Sequence, residues 1–281
     1  MEVVDLRPEQ PDLEEAFLTC LEPWNPDAVE GRAAKAAWYA AMKDRGLFVK
    51  LALEDGVPVG FVQCVPIEES PMLGSGLYAI LCIWVHGHPR GVGNHQGHGL
   101  GTALLVAAER EAQHRGALGM AAWGLALPVW MRASWFRRHG YATVDRQDGL
   151  VLLLKRFSAR ARAPAWPPHG PPPPGVDGRT TVTCFSNGWC MAANATCTRA
   201  RRVAEGFGDK VAFRQIATLD PAVARQWGHS DALFIDQDEV RTGPPPSERK
   251  LRRLVRRKVE GGWWRRWTRR IAGIGGSTKQ G

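Results

Sequence analysis

Several things are scarce in this chain of 281 residues. No run reaches the ~18 consecutive apolar residues that a membrane-spanning helix needs. The opening Met1-Glu-Val-Val-Asp5 has neither a basic nor an apolar segment, so no secretory leader is expected there. Cysteine is sparse, six in all and several within apolar stretches, which excludes a disulfide scaffold and makes the cytoplasm the expected compartment. Acid is nearly missing from the last 33 residues. There, 12 Lys/Arg face one acid, Glu260, for a local charge of +11, and the remaining 248 residues sum to −2. The overall +9 therefore belongs to a tail and not to the body of the protein.

What is present is a glycine loop, Gln96-Gly-His-Gly-Leu-Gly101, running straight into a helix-forming stretch, Thr102–Ala112. A strand-like run, Leu77–Val85, precedes it. Unpaired N–H groups and the helix dipole make such a helix start attractive to anions, and glycine lets the backbone approach a pyrophosphate. An ordinary tight connection would look the same over six letters, so the context decides. No Gly-Lys-Ser/Thr follows, which excludes a P-loop. The third glycine of the dinucleotide fingerprint and the acid about 20 positions beyond it are missing too.

The loop resembles the Gln/Arg-x-x-Gly-x-Gly/Ala signature of the GNAT acyltransferases. The flanking sequence agrees: a hairpin at Leu47–Leu53 and Val57–Val65 around Asp55-Gly56, a strand at Gly119–Leu125, and a helical segment Val129–Arg138 closed by His139-Gly140-Tyr141. This resemblance implies an α/β fold with a GNAT mixed sheet over residues 1–157, and acetyl-CoA as co-substrate of an N-acetyltransferase. Its pyrophosphate would lie on the backbone of Gln96, Gly97, His98, Gly99, Leu100, Gly101, Thr102 and Ala103. Its pantetheine arm would pair with Ile83, Trp84 and Val85. The acceptor would be an amine of a small molecule or peptide. Many relatives carry a tyrosine acid four residues before the closing glycine, where this chain has Phe136. Glu68 and Glu69, after the predicted strand, are general-base candidates, as are His86 and His88; a solvated acidic loop is the alternative for the glutamates. His86, His88, His95 and His98 follow no metal-ligand spacing, and no metal is expected.

A proline-rich linker, residues 158–179 and including Trp166–Pro174, is read as an extended spacer. Beyond it the order of strands and helices over residues 180–259 resembles a smaller thioredoxin-like α/β domain. Trp189-Cys190-Met-Ala-Ala193 stands where a Trp-Cys-x-x-Cys would be, so the second thiol is missing. Cys190 at a helix start could be a nucleophile or a merely structural thiol. Cys197 is ~10 Å along the helix, too far for a disulfide to it, and Cys184 is the better-placed partner if the loop folds back. A GNAT half joined to a domain with an Asn187-Gly-Trp-Cys190 loop resembles the YoaP-type acetyltransferases, which also carry the Trp84-Val-His-Gly-His88 insertion. Two alternatives stay open: a silent CoA-binding sensor, and a redox or ligand-binding protein centred on Cys190. The tail, residues 260–281, puts Trp263, Trp264, Trp267 and Ile271 on one helical arc and arginines on the other. An anionic membrane surface, a nucleic acid or plain disorder are its three readings.

Overall fold

Hydrophobic alternation and turn chemistry divide the first 157 residues into seven strands and four helices. The computed structural model describes residues 1–127, 130–240 and 244–274, with side chains up to residue 261. In chain order the first part contains β1 (Glu2–Asp5), α1 (Pro11–Leu18), α2 (Pro26–Met42), β2 (Phe48–Glu54), β3 (Val57–Pro66) and β4 (Tyr78–Val85). Then come α3 (Leu100–His114), β5 (Gly119–Leu125), α4 (Ala133–Arg138), β6 (Ala142–Gln147) and β7 (Leu150–Arg156). The strands form one mixed sheet in the order β1-β2-β3-β4-β5-β7-β6. Asp55 and Gly56 both take positive φ, as a tight hairpin turn requires. The predicted helix over 129–138 is shorter, starting at Ala133, and residues 128–129 lie outside the described ones.

Two apolar layers cover the sheet. Helices α1 and α2 lie on one face, where Phe17, Trp38, Leu51, Phe61 and Leu81 are buried together. Helix α3 lies on the other, with Leu104, Leu105 and Ala108 against Val62, Ile80 and Met120. Asn25 starts α2: its Oδ1 accepts the Asp27 N–H at 3.0 Å, and Pro26 needs no partner for its nitrogen.

The distinctive feature is the middle of the sheet. β4 and β5 run parallel but pair only from Tyr78↔Met120 to Ile80↔Ala122, and then part. A register shift between Gln63 and Cys64 on β3 marks an extra residue in β4 at Leu81. Trp123 fills the gap, its indole N–H donating to the Leu81 carbonyl at 2.9 Å. The outer half of β4 is thereby left with an unpaired edge.

The second part has β8 (Thr180–Ser186), α5 (Met191–Glu205), β9 (Val211–Ala217), α6 (Pro221–Trp227), β10 (Ala232–Ile235), β11 (Asp238–Glu239) and α7 (Glu248–Ile274). Its sheet order is β11-β10-β8-β9, with β8 and β9 parallel and β10 antiparallel to β8. Residues 158–179 are not a free spacer. Ala165 pairs with Leu73, the Trp166 N–H donates to Asp145 at 2.8 Å, and Gly170 bonds Trp227. The strip ties both parts together.

Helix α5 lies along α2. Arg199 reaches Asp27 and Glu30, and Asn194 Nδ2 donates to the Gly31 carbonyl. Trp189 packs into the first part's core. Gly188 makes this approach possible: a Cβ there would stand 2.7 Å from that of Trp38, and its φ of +83° is left-handed. Helix α7 continues the backbone to Ile274. The Trp/Arg face and loose end expected for residues 260–281 fall on side chains and residues outside those described. No helix among the described residues is long and apolar enough to cross a membrane.

Candidate functional site

The parting of β4 and β5 opens a cleft of about 750 Å³ that ends at the start of α3. Its walls include Ile83, Trp84 and Val85 from β4, then Gln96, Gly97, Gly99, Leu100, Gly101 and Thr102 from the glycine loop and first helical turn. Of the residues expected to bind the co-substrate, these nine come together. His98 lies in the same loop, exposed, and Ala103 faces a neighbouring groove on the outer side of α3.

Local geometry explains the cradle. Gly97 and Gly99 take φ of +90° and +82°. A Cβ at either would meet nothing within 4 Å, so it is conformation and the open space beyond that call for glycine. Gly99 caps α3 with its carbonyl accepting from Ala103 N–H at 3.0 Å. The N–H groups of Leu100, Gly101 and Thr102 have no protein acceptor among the described residues, as expected for a first helical turn. Gln96 closes the base of the loop, donating from Nε2 to the Val85 carbonyl at 3.0 Å.

Charge in the cleft is one-sided. Arg132 and Arg138 line it and no carboxylate does, among the described residues. Sequence reasoning passed over both arginines; their alternation with Trp130, Trp135 and Phe136 was the available signal. Behind them, His139 donates from Nδ1 to the Trp135 carbonyl at 2.9 Å. Its Nε2 shares a hydrogen bond of 3.0 Å with the Thr102 hydroxyl. Thr102 itself lines the cleft.

The histidines organise a loop. Buried His86 donates from Nδ1 to the Gly93 carbonyl at 2.5 Å, and its own carbonyl accepts from the His95 N–H at 2.9 Å. His95 reaches the Val92 carbonyl (2.7 Å) and Glu54 (2.5 Å) with its two ring nitrogens. The Val92 bond, opposed by burial and helped by Glu54, raises its pKa. His88 packs on Trp24, ring centres 4.7 Å apart. No group of three His, Cys, Asp or Glu among the described residues could hold a metal.

Glu68 and Glu69 stand elsewhere. Glu68 accepts the Gly76 N–H at 2.8 Å and Glu69 pairs with Arg45. Neither lines the cleft, and both are engaged in bracing the short turn after β3. Phe136 is fully buried at the cleft floor. The chain has three tyrosines, and none lines the cleft. Tyr141 is buried on the α3 side, where desolvation and Glu109 push its phenol well up.

Cys190 precedes α5, its N–H held by Asn187 Oδ1 at 3.1 Å. Burial, with Asp231 nearby, pushes its thiol up to about 12, although the amides of Ala193 and Ala192 pull the other way. At neutral pH it is a thiol. Its expected partner Cys184 lies instead in the same buried cluster as Cys197, its thiol donating to the Phe185 carbonyl at 3.8 Å. All six cysteines are free.

Residues 11–127 match the model of the Acetyltransferase (GNAT) family. No curated protein matches the chain. Among solved structures it is similar to an aminoglycoside 6'-acetyltransferase type Ii, with 16% identity over 57% of this chain and 99% of the other, at a TM-score of 0.43. It is similar too to the PaiA N-acetyltransferase of Thermoplasma acidophilum in complex with coenzyme A (13%, 56% and 100%, 0.41). A third is a GNAT family acetyltransferase of Brucella melitensis in complex with acetyl-CoA (17%, 58% and 91%, 0.40).

Proposed function

Because the chain carries an N-terminal GNAT-family acetyltransferase domain, we propose that it transfers the acetyl group of acetyl-CoA to an amine. One observation carries this: the cleft between parted strands runs into an unpaired helix start, with two guanidiniums and no carboxylate on its walls. Such a cleft suits a long ligand with an anionic end. The N–H groups from Gly97 to Thr102 would take the pyrophosphate, with Arg132 and Arg138 adding charge. The free edge of β4 would accept the amide-bearing arm as an added strand, which brings the thioester beside Trp84 and Trp130. Backbone N–H groups there would polarise its carbonyl. Positioning is the main contribution, since direct attack by an amine needs only alignment and proton removal. No phenol stands ready to protonate the departing thiolate, so that proton comes from the amine or from water.

For the second part, the order β8-α5-β9-α6-β10-β11-α7 supports a thioredoxin-like reading, and Asn187-Gly-Trp-Cys190 a YoaP-like one. A thiol at about 12 argues for Cys190 as a wall and not a redox centre. We place the boundaries at 1–157, 158–179, 180–259 and 260–281. Six free cysteines favour a reducing compartment, so the cytoplasm is the proposed location. The basic tail would serve an anionic partner, lipid or nucleic acid. The test of the whole proposal is titration of the full chain with CoA, followed by CoA release from acetyl-CoA in the presence of amines. Binding abolished by Gly99→Glu supports it; no binding removes it.

A further inference from the structure

We infer that the second part of the chain completes the acceptor pocket, and that the acceptor is a compact primary monoamine on an apolar body, held at Glu22. This rests on the transferase reading above.

A cavity of about 230 Å³ adjoins the cleft and shares Trp84 and Trp130 with it. It therefore begins where the thioester would end. Its other walls include Cys20 and Cys82 from the first part, and Trp189 and Cys190 from the second. They are almost wholly carbon and sulfur. Without α5 and the loop before it, this space would be open surface.

Glu22 is the only charged residue lining the cavity, among the described residues. The backbone presents it through an unusual turn: Cys20 and Leu21 both take left-handed φ, 51° and 65°. Such strain persists only where the surroundings impose it. Here they do. Leu21 is buried and its N–H donates to the Ala16 carbonyl at 2.7 Å. The fully buried Lys35 donates to the Phe17 carbonyl at 2.6 Å and to Cys20 Sγ at 3.0 Å. Asn25, the cap of α2, donates to Glu22 Oε2 at 2.6 Å. No cation among the described residues pairs with Glu22, so its other oxygen can serve a ligand.

These features select the substrate. The volume lies below the roughly 300–1,000 Å³ of a drug-sized pocket. A single carboxylate matches one ammonium, not a polycation. With no Lys or Arg on the walls, an acceptor carboxylate would go unpaired. Indole faces suit a hydrocarbon body and attract the ammonium as well.

In the reaction, the ammonium gives one proton to the Glu22 carboxylate. The freed amine forms a C–N bond with the acetyl carbonyl carbon. The C–S bond breaks and its electron pair leaves on the CoA sulfur, which receives the second nitrogen proton directly or through water.

The test uses the full chain with acetyl-CoA and three amines: phenethylamine, phenylalanine, which adds a carboxylate, and kanamycin, a polycation. Phenethylamine is expected to be acetylated with a kcat/KM at least about tenfold above the others. Glu22→Gln should lower kcat about 100-fold or more and shift the pH profile upward, with Glu22→Asp restoring part. Ala192→Leu, a pocket-lining change in the second part, should raise KM for the amine and leave CoA affinity unchanged. CoA binding with both variants at wild-type kcat/KM, or with phenylalanine or kanamycin preferred, overturns the inference alone. CoA binding with no amine turned over counts against the transferase reading as well. Absent CoA binding overturns the transferase reading and this inference with it.

Discussion

Gly99→Ala puts a methyl group where no protein atom stands within 4 Å, so packing does not oppose it. The backbone does. Alanine at φ +82°, ψ −5° sits in the left-handed region at roughly 1–2 kcal/mol. Against a typical stability of about 5–15 kcal/mol the variant folds. Either the methyl then projects into the anion's space, or the residue relaxes and turns the N–H groups of Leu100 and Gly101 away. A hydrogen bond to a charged group contributes about 1.5–3 kcal/mol. Losing one weakens CoA about 10- to 100-fold, at 1.4 kcal/mol per decade. Calorimetric titration with CoA and with pantetheine, which lacks the phosphates, reads this directly, beside a thermal melt. CoA should weaken and pantetheine should not. Wild-type affinity for CoA, or equal losses for both ligands, would refute the assignment of this loop to phosphate.

Three further outcomes are expected. Gly188→Ala combines left-handed strain, about 1–3 kcal/mol, with a 2.7 Å clash against Trp38. Urea unfolding should show a loss of about 2–5 kcal/mol; a loss below 1 kcal/mol would mean that the two parts do not interlock there. His95 has its pKa raised in the folded state, so its contribution is complete below the unfolded value of about 6.5 and fades as pH rises through the folded one. The melting difference between wild type and His95→Gln should therefore shrink from about pH 6 to pH 9, and a growing difference would contradict the pairing with Val92 and Glu54. Cys190, at about 12, holds roughly 10³-fold less thiolate than a free cysteine at about 8.5. Iodoacetamide should label it correspondingly slowly at neutral pH, and rapid labelling at this position would reinstate a nucleophile.

The elements written in local sequence were readable before the fold. Asp55-Gly56 announces its hairpin, Gly140 takes the left-handed φ expected after α4, and the glycine loop opens α3. These depend on backbone preferences of one or two residues. The site's remaining parts depend on distant pairs. Nothing in Trp123 tells that it bonds the Leu81 carbonyl and wedges two strands apart. Glu68 and Glu69 read as cleft residues from their place after a strand, but Gly76 and Arg45 claim them. Nothing in the sequence marks Glu22, because the cavity it lines takes part of its wall from Trp189 to Ala192, far along the chain. Cys184 and Cys197 meet because β8 and α5 stack, a contact that spacing along one helix does not encode.

Acetyl transfer by the full chain tests the central claim most directly. With acetyl-CoA and phenethylamine, free thiol should appear in step with N-acetylated amine by mass spectrometry, and both should vanish in Gly99→Glu. Thiol release without acetylated amine, or product formed equally by Gly99→Glu, would contradict the account.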